Sequence, residues 1–283
     1  MSNVDEMISL VMREPKQDGG DFNGFDLKGV SLNGASFVFA TLIETVIDDS
    51  ELREIDFSQA SMEKSSLKNA KIKDLNFSGA NLEGVSFEGA NVVGCNFKNA
   101  ILTNCDFSQA KLNECDFQGA DLGHASFYSA TIENSNLGFA RMMYTFMKQV
   151  IINKSRLGGV NARGSDFSFS KLTEVDLKGS ILKYADLNSC TFKDVNLTNA
   201  NLIGVELKDA QCAGVIWEEA NLEGSDLTYA NLEGANLKNA FLLEANLHGT
   251  NFTNANLADA YLVDANIAKA ITKGANLENT ILG

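Results

Sequence analysis

Large apolar residues recur at every fifth position of this sequence, from Phe22 to Leu282. Of these 53 positions, 28 hold Leu, 12 Phe, 5 Ile and 3 Met, and the other five are Val92, Ala162, Cys212, Trp217 and Thr272. Two residues earlier, 42 of the 53 residues are Ala, Ser, Thr, Cys or Gly. No insertion or deletion interrupts the period, whereas ordinary surface loops vary in length. The sequence therefore predicts a regular five-residue repeat.

This period matches neither common pattern of secondary structure. An amphipathic helix places apolar residues three and four apart, and a half-buried strand alternates them strictly. A period of five fits short extended steps, each of which buries one large and one small side chain two residues apart. Asn, Asp or Gly would form the corners between the steps. The second residue after each large apolar position holds 17 of the 23 glycines, which supports a corner there.

Typical units read Ala-Asn-Leu-Glu-Gly, as at residues 80–84, 220–224 and 230–234. They resemble the motif Ala-(Asp/Asn)-Leu-X-X of the pentapeptide-repeat family, and the resemblance covers residues 20–283. It implies an all-β solenoid, a right-handed quadrilateral β-helix in which four units complete one coil. At roughly 4.8 Å per coil, about thirteen coils would form a rod on the order of 60 Å long.

Residues twenty apart would stack in neighbouring coils of such a solenoid. One predicted column holds Phe37, Phe57, Phe77, Phe97 and Phe117, followed by Leu137, Leu157, Leu177 and Leu197, and a second column holds Phe87, Phe107 and Phe127. The expected core is therefore rich in Phe in the N-terminal half and rich in Leu in the C-terminal half.

Residues 1–17 lie outside the repeat and are predicted to form a short amphipathic helix that caps the first coil. Asn3 followed by Glu6 resembles a helix-starting box, and Pro15 closes the segment. A solenoid needs its apolar end covered. The alternative is a membrane-surface helix, which fits less well because the polar face is acidic. Residues 18–283 are expected to form one uninterrupted solenoid domain.

The chain stops at Gly283 without leaving the repeat, so the last coil is expected to lack a cap. An uncovered coil presents unpaired strand edges and an apolar cross-section, which favour association. Two expectations stay open, namely a homodimer formed end to end through this coil and a chain that has been cut. Gyrase-protecting members of the resembled family dimerise through their C-terminal ends, usually with a helix that this chain lacks.

The sequence offers no catalytic, metal-binding or cofactor-binding motif. All five cysteines fall at predicted inward positions, where they would act as small apolar residues. No nucleophile-elbow, Walker-type or dinucleotide-binding glycine motif occurs, and a filled solenoid has no interior pocket for a substrate. We therefore expect no enzyme activity, no metal site and no cofactor. Without a secretory signal or a long apolar stretch, we expect a cytoplasmic protein that has no membrane span.

Charge divides the sequence into a basic segment and two acidic ends. Between residues 134 and 173, six basic residues accompany one acidic residue, a balance of +5, whereas the rest of the chain has 17 basic and 36 acidic residues, a balance of −19. The total of −14 argues against direct nucleic-acid binding, which needs a basic surface. The basic segment is where the surface departs most from the repeat.

Large apolar and basic side chains coincide at outward positions in and around the basic segment. The candidate partner-binding residues are Tyr128, Arg141, Met143, Tyr144, Phe146, Lys148, Arg163, Phe169, Lys183 and Tyr184. Counting by twenty predicts that Tyr128, Phe146, Lys148 and Phe169 share one wall of the coil and that the other six share its neighbour. Clustered aromatic, Met and Arg side chains are typical of protein-binding surfaces. The alternative is that exposed positions simply tolerate scattered aromatic residues that lie flat on neighbouring coils.

Three functions fit these features. The preferred hypothesis is a non-catalytic scaffold, a rigid rod that presents the basic and aromatic residues to a protein partner. The second, from similarity to gyrase-protecting members of the family, is an acidic DNA mimic that binds DNA gyrase or another topoisomerase. DNA carries one charge per ~1.7 Å of axis, and here the acidic residues scatter over several faces. The third is a bacterial effector delivered into host cells, since some effectors carry such repeats.

Overall fold

A computed structural model describes residues 9, 11 and 13–282 of the chain. The chain divides into two compact units, residues 1–141 and 142–283. Each unit is a parallel β-solenoid in which residues twenty apart pair with each other. The parallel β-solenoid expected from the five-residue repeat is confirmed.

Six three-residue strands line one wall of the first unit. They are β1 (Ser31–Asn33), β2 (Glu51–Arg53), β3 (Lys71–Lys73), β4 (Asn91–Val93), β5 (Lys111–Asn113) and β6 (Thr131–Glu133). Each strand pairs in parallel with the next, as Ser31 with Glu51. The middle residue of every strand is buried between two more exposed neighbours, so each strand contributes one large inward side chain.

The second unit carries three further strands, β7 (Ile151–Asn153), β8 (Lys171–Thr173) and β9 (Thr191–Lys193). They also pair in parallel. In the coil after β9, a turn replaces the three-residue strand on this wall, and the amide of Val215 donates to the carbonyl of Cys212 at 3.3 Å. Single bridges then continue the pairing as far as Tyr261 with Ile281. In the described part of the chain, nine coils therefore carry a regular strand on this wall, whereas about thirteen coils were expected.

Each five-residue step ends in a corner with a left-handed residue. At most corners the fourth residue donates its amide to the carbonyl of the first, as Ala40 does to Phe37 at 3.0 Å. The third residue of that turn, Phe39, has a φ of 59°. This geometry is a type II turn. Positive φ recurs at every fifth residue from Gly19 to Asn279, which confirms the predicted corner position.

The inward positions fill the core of each unit as predicted. In the first unit the rings of Phe37, Phe57, Phe77, Phe97 and Phe117 stack in order, with successive centroids 5.2, 5.4, 5.0 and 4.6 Å apart. In the second unit Leu177, Leu197 and Leu237 are buried at the equivalent position. A stack of offset rings adds favourable ring contacts to the burial of apolar surface.

Two expectations lie outside what the structure covers. The capping helix predicted over residues 1–17 falls largely outside the described residues, although Ser9, Val11 and Arg13 have helical backbone. The prediction of a single uninterrupted solenoid over residues 18–283 stays a prediction.

Candidate functional site

The corner positions carry several large aromatic side chains. A bulky residue with positive φ is uncommon, because its Cβ crowds the backbone there. Four corners of the second unit nevertheless hold aromatic residues, namely Tyr144, Phe169, Tyr184 and Tyr229, with φ between 57° and 61°. All four side chains are exposed. The fold therefore places broad aromatic faces on the outside of the coil at positions where Gly or Asn would be less strained.

Tyrosine and glycine alternate along one corner of the second unit. We call Tyr144, Gly164, Tyr184 and Gly204 the tyrosine column. A Cβ placed on Gly164 would lie only 2.6 Å from Cε1 of Tyr144, and one placed on Gly204 only 2.7 Å from Cδ1 of Tyr184. Each ring thus lies flat against the backbone of the glycine one coil further on. The glycines let the rings pack down, and both side chains remain about half exposed.

Two cations of the second unit lie over exposed aromatic rings. The guanidinium carbon of Arg163 is 5.5 Å from the ring centroid of Tyr184, and Nζ of Lys148 is 5.4 Å from that of Phe169. Cation–π contacts at exposed sites contribute about 0.5–1 kcal/mol each. They hold the positive groups beside the aromatic faces, so that both present one mixed surface.

Basic side chains outnumber acidic ones in residues 142–184. This stretch holds seven basic and three acidic residues. Among the described residues, none of the seven basic side chains forms an ion pair; they are Lys148, Lys154, Arg156, Arg163, Lys171, Lys178 and Lys183. Elsewhere in the same unit, Lys208 pairs with both Glu206 at 2.8 Å and Asp226 at 3.3 Å. We call the outward side chains of residues 142–184 the basic surface.

The structure sorts the ten candidate residues between the two units. Tyr128 and Arg141 belong to the first unit, and the other eight belong to the second. Arg141 forms an ion pair with Asp121 at 2.7 Å, so its charge is already partnered. In the second unit Tyr144, Arg163 and Tyr184 come together around the tyrosine column, while Lys148 and Phe169 form a separate contact. Met143, Phe146 and Lys183 are at least partly exposed, which agrees with their predicted outward positions.

Sequence reasoning missed several exposed aromatic residues and the role of two glycines. Phe39 and Phe139 in the first unit are more than 60% exposed at corner positions. Tyr229 of the second unit lies over Gly249 as Tyr144 lies over Gly164. For Tyr229 the signal was an aromatic residue at a corner followed by glycine twenty residues later, a pattern that counting by the coil length makes visible.

Two concave regions lie in the second unit. One, of about 230 Å³, has apolar lining residues that include Leu257, Leu262 and Leu277. The other, of about 360 Å³, lies on the outer wall between Glu219 and the stacked rings of Phe241 and Tyr261, whose centroids are 5.1 Å apart. The first has no ionisable side chain among its lining residues. Dimer formation through the last coil stays a prediction.

The titratable groups with the largest shifts are the cysteine thiols. All five cysteines are buried and unbridged. Burial raises the pKa of the Cys115 and Cys190 thiols to about 12, and it raises the pKa of Cys212 as well. Since the thiolate is the reactive form, these side chains act as core residues. In the described part of the chain, no cluster of His, Cys, Asp and Glu has the arrangement of a metal site.

No helix among the residues that the structure describes is long and apolar enough to cross a membrane.

Several solved structures that are similar to this chain are repeat proteins. HetL, a pentapeptide repeat protein involved in heterocyst differentiation regulation in Nostoc sp. strain PCC 7120, is 22% identical over 100% of this chain and 98% of its own, with a TM-score of 0.26. A pentapeptide repeat protein of the Arabidopsis thaliana thylakoid lumen is 30% identical over 38% of this chain and 68% of its own (TM-score 0.28). The plasmid-mediated fluoroquinolone resistance protein QnrB1 is 24% identical over 65% of this chain and 92% of its own (TM-score 0.23). No curated protein sequence matches the chain significantly.

The family model for pentapeptide repeats matches most of the sequence. Its eight copies cover residues 50–89, 80–119, 90–127, 110–149, 147–179, 170–209, 206–242 and 245–283. The match agrees with the five-residue period and with the corners seen in both units. The chain belongs to the pentapeptide-repeat family.

Proposed function

We propose that this protein is a non-catalytic interaction scaffold whose basic surface binds a protein partner. The observation that carries the proposal is a set of seven cations in residues 142–184 that form no ion pair with the residues the structure describes, two of which lie over exposed aromatic rings. Arginine beside exposed tyrosine is typical of protein-binding surfaces, because Tyr and Arg dominate the energetics of protein interfaces.

The rigidity of the solenoid supports this role. Tyr144 and Tyr184 pack against the backbone beneath them, and the backbone around them is hydrogen-bonded from coil to coil. A side chain that is already ordered loses little conformational freedom on binding. The surface therefore suits recognition.

We also propose a cytoplasmic location for the protein. The five cysteines are free and buried, and Cys95, Cys105 and Cys115 lie in the same solenoid unit without a disulfide. Reduced cysteines are the rule in the cytosol, whereas secreted domains usually pair them.

The DNA-mimic hypothesis ranks second. Its support is the acidic stretch of residues 206–264, with ten acidic and two basic residues. A mimic needs an acidic column, but Lys208 neutralises the stacked pair Glu206 and Asp226, and Asn239 separates Glu219 from Asp259 along another corner. A gyrase supercoiling assay with and without a quinolone tests this role. Protection of supercoiling would favour the mimic, and no effect at micromolar protein would count against it. No structural observation favours the effector hypothesis.

Capture of partners from a lysate of the source cells tests the scaffold. The bait is the full chain, and the variant carries Tyr144→Ala and Phe146→Ala. Tyr229→Ala with Phe241→Ala is a matched control, because it removes a corner aromatic and a wall aromatic from the same unit, outside the basic surface. We expect the first variant to lose its partner and the control to keep it. Undiminished capture by the first variant would reject the basic surface as the binding site.

A further inference from the structure

We propose that the tyrosine column, together with Arg163 and Lys183, binds an acidic segment of the partner protein. This inference rests on the proposed function, since it names the chemistry of the partner for the same surface. The segment would lie along the coil axis, with a carboxylate between the two cations and apolar side chains on the rings of Tyr144 and Tyr184.

Charges at equivalent positions of neighbouring coils lie close enough to pair. Equivalent positions are twenty residues apart and about 4.8 Å apart in space. Lys71 and Glu51 show the consequence, with Nζ 2.6 Å from the carboxylate, and Arg141 reaches Asp121 in the same way at 2.7 Å. Opposite charges in this relationship can therefore form a direct ion pair.

Arg163 and Lys183 stand in the same relationship, but both are positive. Like charges at directly facing positions repel each other. Neither forms an ion pair with any residue that the structure describes, and Arg163 instead lies over the ring of Tyr184. A carboxylate placed between them would relieve the repulsion. One carboxylate between two cations would be the converse of the arrangement at Lys208, where one cation lies between the carboxylates of Glu206 and Asp226.

The rings beside these cations form a preorganised apolar platform. Tyr144 is 48% and Tyr184 56% exposed, and each rests on a glycine that admits no Cβ beneath the ring. Tyrosine offers a large contact area at a small entropic cost. Apolar side chains on either side of an acidic residue would pack on these two rings, which gives the site affinity beyond charge attraction alone.

A protein segment fits this surface better than a nucleic acid does. A nucleic acid carries its charge along the whole backbone and needs an extended basic track. In the same unit, residues 206–264 hold ten acidic and two basic residues, which would repel the continuation of a phosphate backbone. A peptide with a few local carboxylates meets the two cations without that repulsion.

Fluorescence anisotropy with synthetic probes tests the inference without the natural partner. The probe is a labelled peptide of Glu residues flanked by Leu, and the matched peptide has Gln in place of Glu. The full chain is compared with the double variant Arg163→Glu/Lys183→Glu. The control Lys238→Glu/Lys269→Glu changes the net charge equally at two other unpaired cations of the second unit. A further pair of variants tests the contribution of the rings separately from that of the charges. Gly164→Ala disturbs the ring of Tyr144, and Gly224→Ala is its control, since no ring lies over Gly224.

The acidic peptide should bind at low salt at least tenfold more tightly than the Gln peptide, a difference of about 1.4 kcal/mol. We expect Arg163→Glu/Lys183→Glu to abolish this preference and Gly164→Ala to weaken binding severalfold, while both controls bind normally. Circular dichroism verifies that each variant is folded. Equal binding of both peptides, or equal loss in the two charge variants, would overturn the inference. Tighter binding of a single-stranded oligonucleotide or of anionic vesicles would also overturn it.

The inference and the proposed function fail separately. A captured partner that ignores Arg163→Glu/Lys183→Glu overturns the acidic-segment inference and leaves the scaffold in place. The inference would also be overturned, and the scaffold kept, if Tyr144→Ala with Phe146→Ala abolished capture but the protein showed no preference for the acidic peptide. If capture is insensitive to all these variants, the scaffold's assignment to the basic surface fails as well.

Discussion

The ring of Tyr144 packs against the backbone of Gly164, one coil further along the second unit. A side chain at position 164 would collide with the ring, because its Cβ would lie 2.6 Å from Cε1. Gly224 belongs to the same series of corners and has a similar φ, 61° against 66°, yet nothing lies within 4 Å of the place where its Cβ would be. The two glycines thus share one backbone conformation and differ in one contact.

This difference predicts unequal effects of the same substitution. Each Gly→Ala change should lower the free energy of unfolding by about 1–2 kcal/mol, since alanine is strained in the left-handed region. Gly164→Ala should lower it further, by about 1 kcal/mol, because the ring of Tyr144 loses its packing. Urea unfolding followed by circular dichroism measures both. Equal losses would show that the ring moves aside without a penalty.

The five-residue period was sufficient to predict most of the fold. The inward positions of Phe37 and Leu177 and the corner at Phe39 follow from sequence spacing alone, because each coil repeats the same backbone path. The length of the coil came from resemblance to a family. The end of the strand series at β9 was not predictable, since Gln211 and Cys212 continue the repeat without a visible break.

The candidate site was predicted only in outline. Exposure of Tyr144, Phe169 and Tyr184 follows from their corner positions. The contact of Arg163 with Tyr184 depends on side-chain rotamers, which the sequence does not specify. The pairing of Arg141 with Asp121 could have been found by counting twenty residues back, and it removes one charge from the predicted basic cluster.

Phe139 is a strained corner in the first unit. Its φ is 58°, and its side chain is 69% exposed, so little packing compensates for the left-handed backbone. Phe139→Asn should raise the free energy of unfolding by about 1 kcal/mol, because Asn tolerates this region better. Phe139→Leu is the matched control and should bring no gain. A loss on Phe139→Asn would instead show that the exposed ring makes a stabilising contact.

Phe97 lies in the middle of the stacked rings of the first unit. Its centroid is 5.0 Å from that of Phe77 and 4.6 Å from that of Phe117. Phe97→Ala should lower the free energy of unfolding by about 3–5 kcal/mol through the cavity it leaves. Phe97→Leu should lower it by only about 1–2 kcal/mol, since Leu fills this position elsewhere and only the ring contacts are lost. Thermal and urea unfolding measure the stability of both variants. Equal losses for Phe97→Ala and Phe97→Leu would contradict the expectation that burial contributes more than ring stacking.

Trp217 is fully buried, and its indole N–H has no acceptor among the described residues. An unsatisfied buried donor destabilises a protein by about 1–3 kcal/mol. Trp217→Phe removes the donor while keeping an aromatic ring, so the change in stability should stay below about 1 kcal/mol. Trp217→Ala serves as the reference for loss of the ring and should lower stability by about 3–5 kcal/mol. A large loss on Trp217→Phe would reveal a partner for the N–H.

Alkaline pH should destabilise the fold through its buried thiols. Burial raises the pKa of Cys190 from 9.0 to about 12, so between these values the unfolded chain releases a proton that the folded protein keeps. Stability is therefore greatest below pH 9 and declines as the pH rises towards 12, by up to about 1.4 kcal/mol per pH unit for one thiol. Cys190→Ser removes this contribution. Serine fits the position, because Ser170 occupies the equivalent place one coil earlier and donates to a carbonyl as the thiol does. Melting temperatures of both proteins across this range provide the measurement. The variant should lose less stability than the parent protein, and parallel declines would show that Cys190 is ionised in the folded state as easily as in the unfolded one.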